Sequence, residues 1–124
     1  MSKMKSLAFL ILCFAPLAIA GGGQSVQPVP GKVTLVYFWA AWCGPCRQVT
    51  PALEQMAATD AEIALRKIDL TGGSREEGEA EAAKYNIEAL PNVKVYNRSG
   101  SLVGTVVGAD VEKVKSYVAQ AKSG

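Results

Sequence analysis

The segment Lys32–Trp39 constrains the fold of this chain more than any other. It is almost continuously apolar and rich in β-branched and aromatic residues. A strand with one wet face alternates apolar and polar residues. A run without that alternation belongs inside a sheet covered on both sides, and the usual cover is helices reached by strand–helix crossovers. The chain must therefore build an α/β layered domain. Its 124 residues suffice for one such domain but not two. A composition 49% hydrophobic and 19% charged excludes a disordered chain.

The elements after Trp39 follow from periodicity and punctuation. Ala40–Pro45 reads as a turn. Cys46–Thr59 carries Val49, Leu53, Met56 and Ala57 at helical spacing, with Pro51 inside expected to kink the helix. Glu62–Leu70 reads as a second strand. Ser74 is placed to cap a helix over Arg75–Tyr85, with Glu77 completing a capping box. That helix is acidic at Glu76, Glu77, Glu79 and Glu81, and Gly78 interrupts it. Val93–Tyr96 and Leu102–Val107 flank the turn Asn97–Gly100 and predict a hairpin. Asp110 caps a final helix whose Val111, Val114, Val118 and Ala121 share one face. The order β-α-β-α-β-β-α predicts a mixed sheet, with one parallel pair and an antiparallel hairpin, between helices.

The chain begins with Lys3 and Lys5, then an apolar run from Leu7 to Ala20 that ends in Ala18-Ile19-Ala20. This is the pattern of a secretory signal peptide cleaved after Ala20. The run is short of the roughly 20 residues a membrane span needs, and Pro16 lies within it. An uncleaved anchor is the alternative. Cys13 follows Leu12 rather than a small residue, and reads as filler of the apolar run, not as a lipidation site. The expected organisation is a signal peptide over 1–20, a Gly/Pro/Gln-rich linker or arm over 21–31, and one domain over 32–124. The chain's net charge of +2 comes from Lys3 and Lys5, so the mature chain balances its 11 acidic residues and carries no signature of nucleic-acid binding. Export, to a bacterial periplasm or similar space, places the two remaining cysteines in an oxidising compartment.

Chemistry concentrates in Trp42-Cys43-Gly44-Pro45-Cys46. The segment follows the buried strand and opens a helix. Free N–H groups and the helix dipole there favour negative charge, and so a nucleophilic thiolate at Cys43. Two intervening residues bring both sulfurs within bonding distance. Cys43 is the exposed member expected to attack, and Cys46, one turn deeper, the member expected to resolve a mixed disulfide. Pro45 suits the first turn because its missing N–H costs nothing there. A structural disulfide closing so short a loop restrains little chain entropy. A two-thiolate copper or zinc module is a further reading, but the chain has no His and would need ligands from another chain to close a site. The absence of His also excludes every Cys–His or Ser–His catalytic pair.

The segment Phe38–Cys46 resembles the active-site segment of the thioredoxin family. Pro51–Glu54 is similar to the kink of that family's active-site helix, Ala89–Asn92 to its cis-proline loop, and Gly100 with Val107-Gly108-Ala109 to its late hairpin and following loop. The resemblance covers about Lys32 to Ala121. It implies a thioredoxin-like fold with the N-terminal strand and helix reduced or absent. It implies a Cys43–Cys46 redox disulfide and a cis Leu90–Pro91 bond beside it. It further implies that the backbone of Leu90 pairs with an extended substrate peptide. Trp42, Gly44, Pro45, Leu90, Val107, Gly108 and Ala109 would form the docking rim, with Trp39 in the core.

Three departures from the family stand out. Tyr37 occupies the position where thioredoxins bury an Asp that accepts the resolving thiol's proton, and Leu65 replaces that residue's Lys partner. Tyr37, with an ordinary pKa of about 10, is a poor base near neutrality, which leaves water or another group such as Glu54. The family's usual first strand and helix are missing or reduced to Gly21–Gly31. The stretch from Asp69 to Pro91 is longer than in cytosolic members and is more similar to domains of exported reductase systems. Gly44-Pro45, the lack of His and Leu90 before Pro91 all resemble the reducing members. The expected activity is thus reduction of protein disulfides outside the cytoplasm, with a membrane electron-donor protein as reductant. The substrates are disulfide-containing proteins, no cofactor or metal is needed, and the chain is a monomer. An oxidase or isomerase of the same fold is the alternative.

Overall fold

A computed structural model describes residues 24–124. The expected signal peptide over 1–20, or anchor in its place, lies outside the described residues. Seven elements follow in the order β1 (Val33–Trp39), α1 (Cys46–Thr59), β2 (Ile63–Asp69), α2 (Arg75–Lys84), β3 (Asn92–Tyr96), β4 (Leu102–Val107) and α3 (Val111–Ser123). The sheet order is β2-β1-β3-β4. β1 runs parallel to β2 and antiparallel to β3, and β3 pairs antiparallel with β4.

The apolar run of β1 sits at the centre of this sheet and is buried on both faces. Val33, Leu35 and Tyr37 join one core with Val49 and Leu53 of α1 and Val114, Val118 and Ala121 of α3. Val36 and Phe38 point the other way, into a second core with Ile68, Leu70, Ala82 of α2 and Ile87. The period of two in the strand thus divides one sequence run between two hydrophobic layers. Thr34, the one polar residue in β1, is fully buried, and its hydroxyl accepts from the Val29 N–H at 2.9 Å.

Residues 24–31 form neither strand nor helix but dock along β2. The Gln24 side chain takes both backbone groups of Asp69, accepting from its N–H at 2.6 Å and donating to its C=O at 3.2 Å. Arg66 donates to the Gln27 carbonyl at 2.6 Å, and Val26 packs on the second core. The arm thereby occupies hydrogen-bonding groups on an outer strand of the sheet.

Two local details differ from expectation. The Ser74 hydroxyl accepts from the Glu77 N–H at 3.2 Å, but the Glu77 carboxylate takes the Gly73 N–H at 2.9 Å rather than that of Ser74. The box is shifted by one residue, after a turn through the positive φ of Gly72. Gly78 is no flaw in α2. A Cβ there would meet the Leu70 carbonyl oxygen at 2.1 Å and the Trp42 ring at 2.8 Å. Only a glycine lets α2 approach this closely.

Candidate active site

Three chain segments converge at one end of the sheet. β1 leaves it at Trp39, β3 enters it after Pro91, and β4 leaves it at Val107, with Phe38 opposite Asn92 and Asn92 opposite Val107. The Ala40–Pro45 turn carries the cysteines across this end, the place where open α/β sheets put their sites.

Cys43 and Cys46 are joined as a disulfide, with Cα atoms 5.4 Å apart. Cys43 is 6% exposed and Cys46 2%, so Cys43 is the more accessible, though both are buried. Cys46 is the first residue of α1. The N–H groups of Cys46, Arg47 and Gln48 donate to the carbonyls of Cys43, Gly44 and Pro45 at 3.1–3.2 Å. The first-turn donors expected to be free for a thiolate are therefore used to tighten the turn. The electrostatic support left for Cys43 is the positive end of the helix dipole.

Behind the disulfide, the Tyr37 hydroxyl lies 3.1 Å from the Cys46 carbonyl oxygen and 2.8 Å from Thr50 Oγ1, and Thr50 Oγ1 lies 3.0 Å from the same carbonyl. Two hydroxyl protons serve this triangle of three contacts. Burial pushes the Tyr37 phenol above its ordinary value of 10.0, and the nearby Glu54 carboxylate adds to the rise, while the Thr50 contact opposes it. Glu54 itself pairs with Lys67, whose ammonium lies over the Trp39 ring.

Trp42 is half-buried. Its indole N–H donates to the Thr71 carbonyl at 2.9 Å, and the Arg75 guanidinium stacks 5.1 Å from its ring. The Thr71 hydroxyl accepts from the Ala41 N–H at 2.9 Å and bonds the Asp69 carboxylate at 2.5 Å. The active-site turn is thus pinned to the end of β2, whose Asp69 the Gln24 arm also holds. Sequence reasoning did not single out Thr71, Gln24 or Thr50. Thr50 had a signal, lying one helical turn after Cys46. The others act across separations of 29 to 45 residues and had none.

The Leu90–Pro91 bond is cis. Leu90 and Cys43 line one groove of about 700 Å³, together with Trp42, Gly44, Pro45 and residues of α2. Among the described residues neither the N–H nor the C=O of Leu90 has a hydrogen-bond partner. The Pro91 carbonyl accepts from the Gly108 N–H at 2.9 Å, which holds the loop after β4 against the cis-proline. Gly108, at φ 97°, can adopt this turn because it lacks a Cβ. Val107, 57% exposed, and the exposed Ala109 lie on the β4 side of Pro91 and do not line the groove itself. A smaller cleft of about 360 Å³ on the other side of the disulfide is lined by Trp39, Cys46, Arg47, Thr50 and Pro51.

The described residues contain no group of three or more His, Cys, Asp or Glu placed to hold a metal ion. No helix among them is long and apolar enough to cross a membrane.

Residues 24–120 match the thioredoxin family. A thioredoxin of Streptomyces clavuligerus is 41% identical over 78 residues, covering 63% of this chain and 67% of that protein. One from Malassezia sympodialis is 34% identical over 91 residues, 72% of this chain and 81% of that one. The crystal structure of Fasciola hepatica thioredoxin superposes with a TM-score of 0.61 at 31% identity, covering 75% of this chain and 84% of the other.

Proposed function

Because the chain belongs to the thioredoxin family, we propose that it is an exported reductant of protein disulfides, recharged by a membrane electron-donor protein and acting as a monomer. The observation that carries this reading is the meeting of a reactive sulfur and a free peptide edge: Cys43 and the unpaired backbone of Leu90 line one groove. An extended substrate chain hydrogen-bonded to Leu90 lies across Cys43. The apolar, exposed Gly44, Pro45, Val107 and Ala109 border its path.

The chemistry balances within two cysteines. In the reduced protein the Cys43 thiolate attacks a substrate sulfur. A mixed disulfide forms, and the first substrate thiolate leaves and takes a proton from water. The Cys46 thiol loses its proton, attacks Cys43, and restores the Cys43–Cys46 disulfide. The second substrate thiol departs, and two electrons have passed to the substrate. A dithiol of the donor protein reverses the sequence. The apolar run before Ala20 supports an exported location, and Gly44-Pro45 supports the reducing direction.

The test is the reduction potential of the Cys43–Cys46 pair in protein starting at Gly21, with insulin reduction as the activity assay. A value near or below about −250 mV with turnover supports the reading, and a value above about −150 mV overturns it in favour of an oxidase.

A further inference from the structure

We infer that the groove between Trp42 and α2 selects disulfide-bearing peptides that carry a Lys or Arg close to the reactive cysteine, with Glu88 as the recognising carboxylate. This deepens the proposed function and rests on it.

Three charged side chains line the groove: Arg75, Glu79 and Glu88. Arg75 is already committed. Its guanidinium stacks on Trp42, and its Nε donates to Glu79 at 3.1 Å. These two charges neutralise each other. Glu88 forms no ion pair or hydrogen bond among the described residues. Lys84, the cation that ends α2 four residues before it, is paired with Glu81 at 3.0 Å. Arg47 lines the smaller cleft, on the other side of the disulfide. Among the described residues, the groove beside Cys43 is therefore left with one uncompensated negative charge.

The rest of the groove fits the same ligand. Ala83, Ile87 and Ala89 supply apolar surface near Glu88. A Lys or Arg needs both features, an apolar track for its methylene stem and a carboxylate for its head. Glu88 is two residues before Leu90, so a peptide paired with Leu90 passes it. An extended peptide advances about 3.3 Å per residue and returns to the same side every second residue. A side chain two positions from the substrate cysteine is therefore the one that faces this wall.

The experiment uses the full chain and three disulfide-bonded peptides of one sequence, differing only in Lys, Gln or Glu two residues on each side of a cysteine. At low salt the Lys peptide is expected to be reduced with a kcat/KM about threefold above the Glu peptide, the size of an exposed ion pair. The preference fades at about 0.5 M salt. E88Q brings the three peptides to one rate, and E88K inverts their order. Equal rates with the unaltered chain, or an E88K order unchanged from it, overturn the inference while leaving the proposed reductase standing. Failure to reduce any of the three, with the Cys43–Cys46 pair still reducible by dithiothreitol, overturns both.

Discussion

The phenol oxygen of Tyr37 lies 3.1 Å from the carbonyl oxygen of Cys46, so the residue in place of the family's buried acid touches the backbone of the inner cysteine. A carboxylate there would take the resolving thiol's proton. A phenol pushed above its ordinary value by burial holds its own proton instead. Glu54 does not fill the gap, because its carboxylate is bound to Lys67. The proton of Cys46 is left to solvent, which reaches it through the cleft lined by Thr50 and Pro51. The rate of the resolving step is therefore expected to climb steadily with pH above neutrality, as base removes the thiol proton, with no plateau near neutrality. Y37F is expected to leave that profile unchanged and to cost only about 0.5–1 kcal/mol in denaturant unfolding, since Thr50 still donates to the Cys46 carbonyl. A plateau between about pH 6 and 8 that vanishes in Y37F would show that Tyr37 does relay the proton.

The same burial gives Tyr37 a signature at high pH. Its pKa is raised in the folded chain relative to an unfolded value of 10.0. The stability tied to its protonated form is then complete below about pH 10 and is lost as pH rises through the folded value. The advantage of the unaltered chain over Y37F is expected to be constant from neutrality to about pH 10 and to shrink above it. Urea midpoints of the two proteins across that range measure this. A gap that widens with pH would contradict the assignment.

What the sequence made legible was local. The two-faced burial of β1 followed from its unbroken apolar run, and the bounds of α1 and β4 from helical spacing and a Gly-bearing turn. The cis bond before Pro91 came from family resemblance, since nothing in the residues themselves fixes an isomer. The missing pieces are contacts between distant segments. Gln24 reaching Asp69 and Thr71 receiving Trp42 are chosen by the packing of finished elements, and both residue types are common in loops for other reasons. Gly78 looks like a weakness because helix propensity is a local quantity, while its cause is the backbone carbonyl of Leu70, just past the end of β2 and across the intervening loop.

That conflict gives a test of sign. Propensity alone predicts that G78A stabilises α2 by about 1 kcal/mol. The close approach of Leu70 and Trp42 predicts the reverse, because the added methyl cannot fit without moving the helix or the ring. G78A is expected to lower stability by about 1–3 kcal/mol, the range for overpacking a tight contact, and to perturb Trp42 fluorescence. A rise in the unfolding midpoint would refute the packing account.

Thr71 supplies the last test, because its side chain and backbone act on neighbouring residues in different ways. The hydroxyl holds the Ala41 N–H and the Asp69 carboxylate, while the carbonyl receives the Trp42 indole. T71V keeps the carbonyl and the branched shape but removes both hydroxyl contacts. The expected cost is about 1 kcal/mol, because these groups are exposed and water replaces part of what is lost. If the hydroxyl fixes the turn on which Trp42 is carried, the indole N–H resonance of Trp42 shifts in T71V and returns to its original position in T71S. If the carbonyl alone orients the ring, the resonance stays in place in both variants, and the hydroxyl is left with a role in stability only.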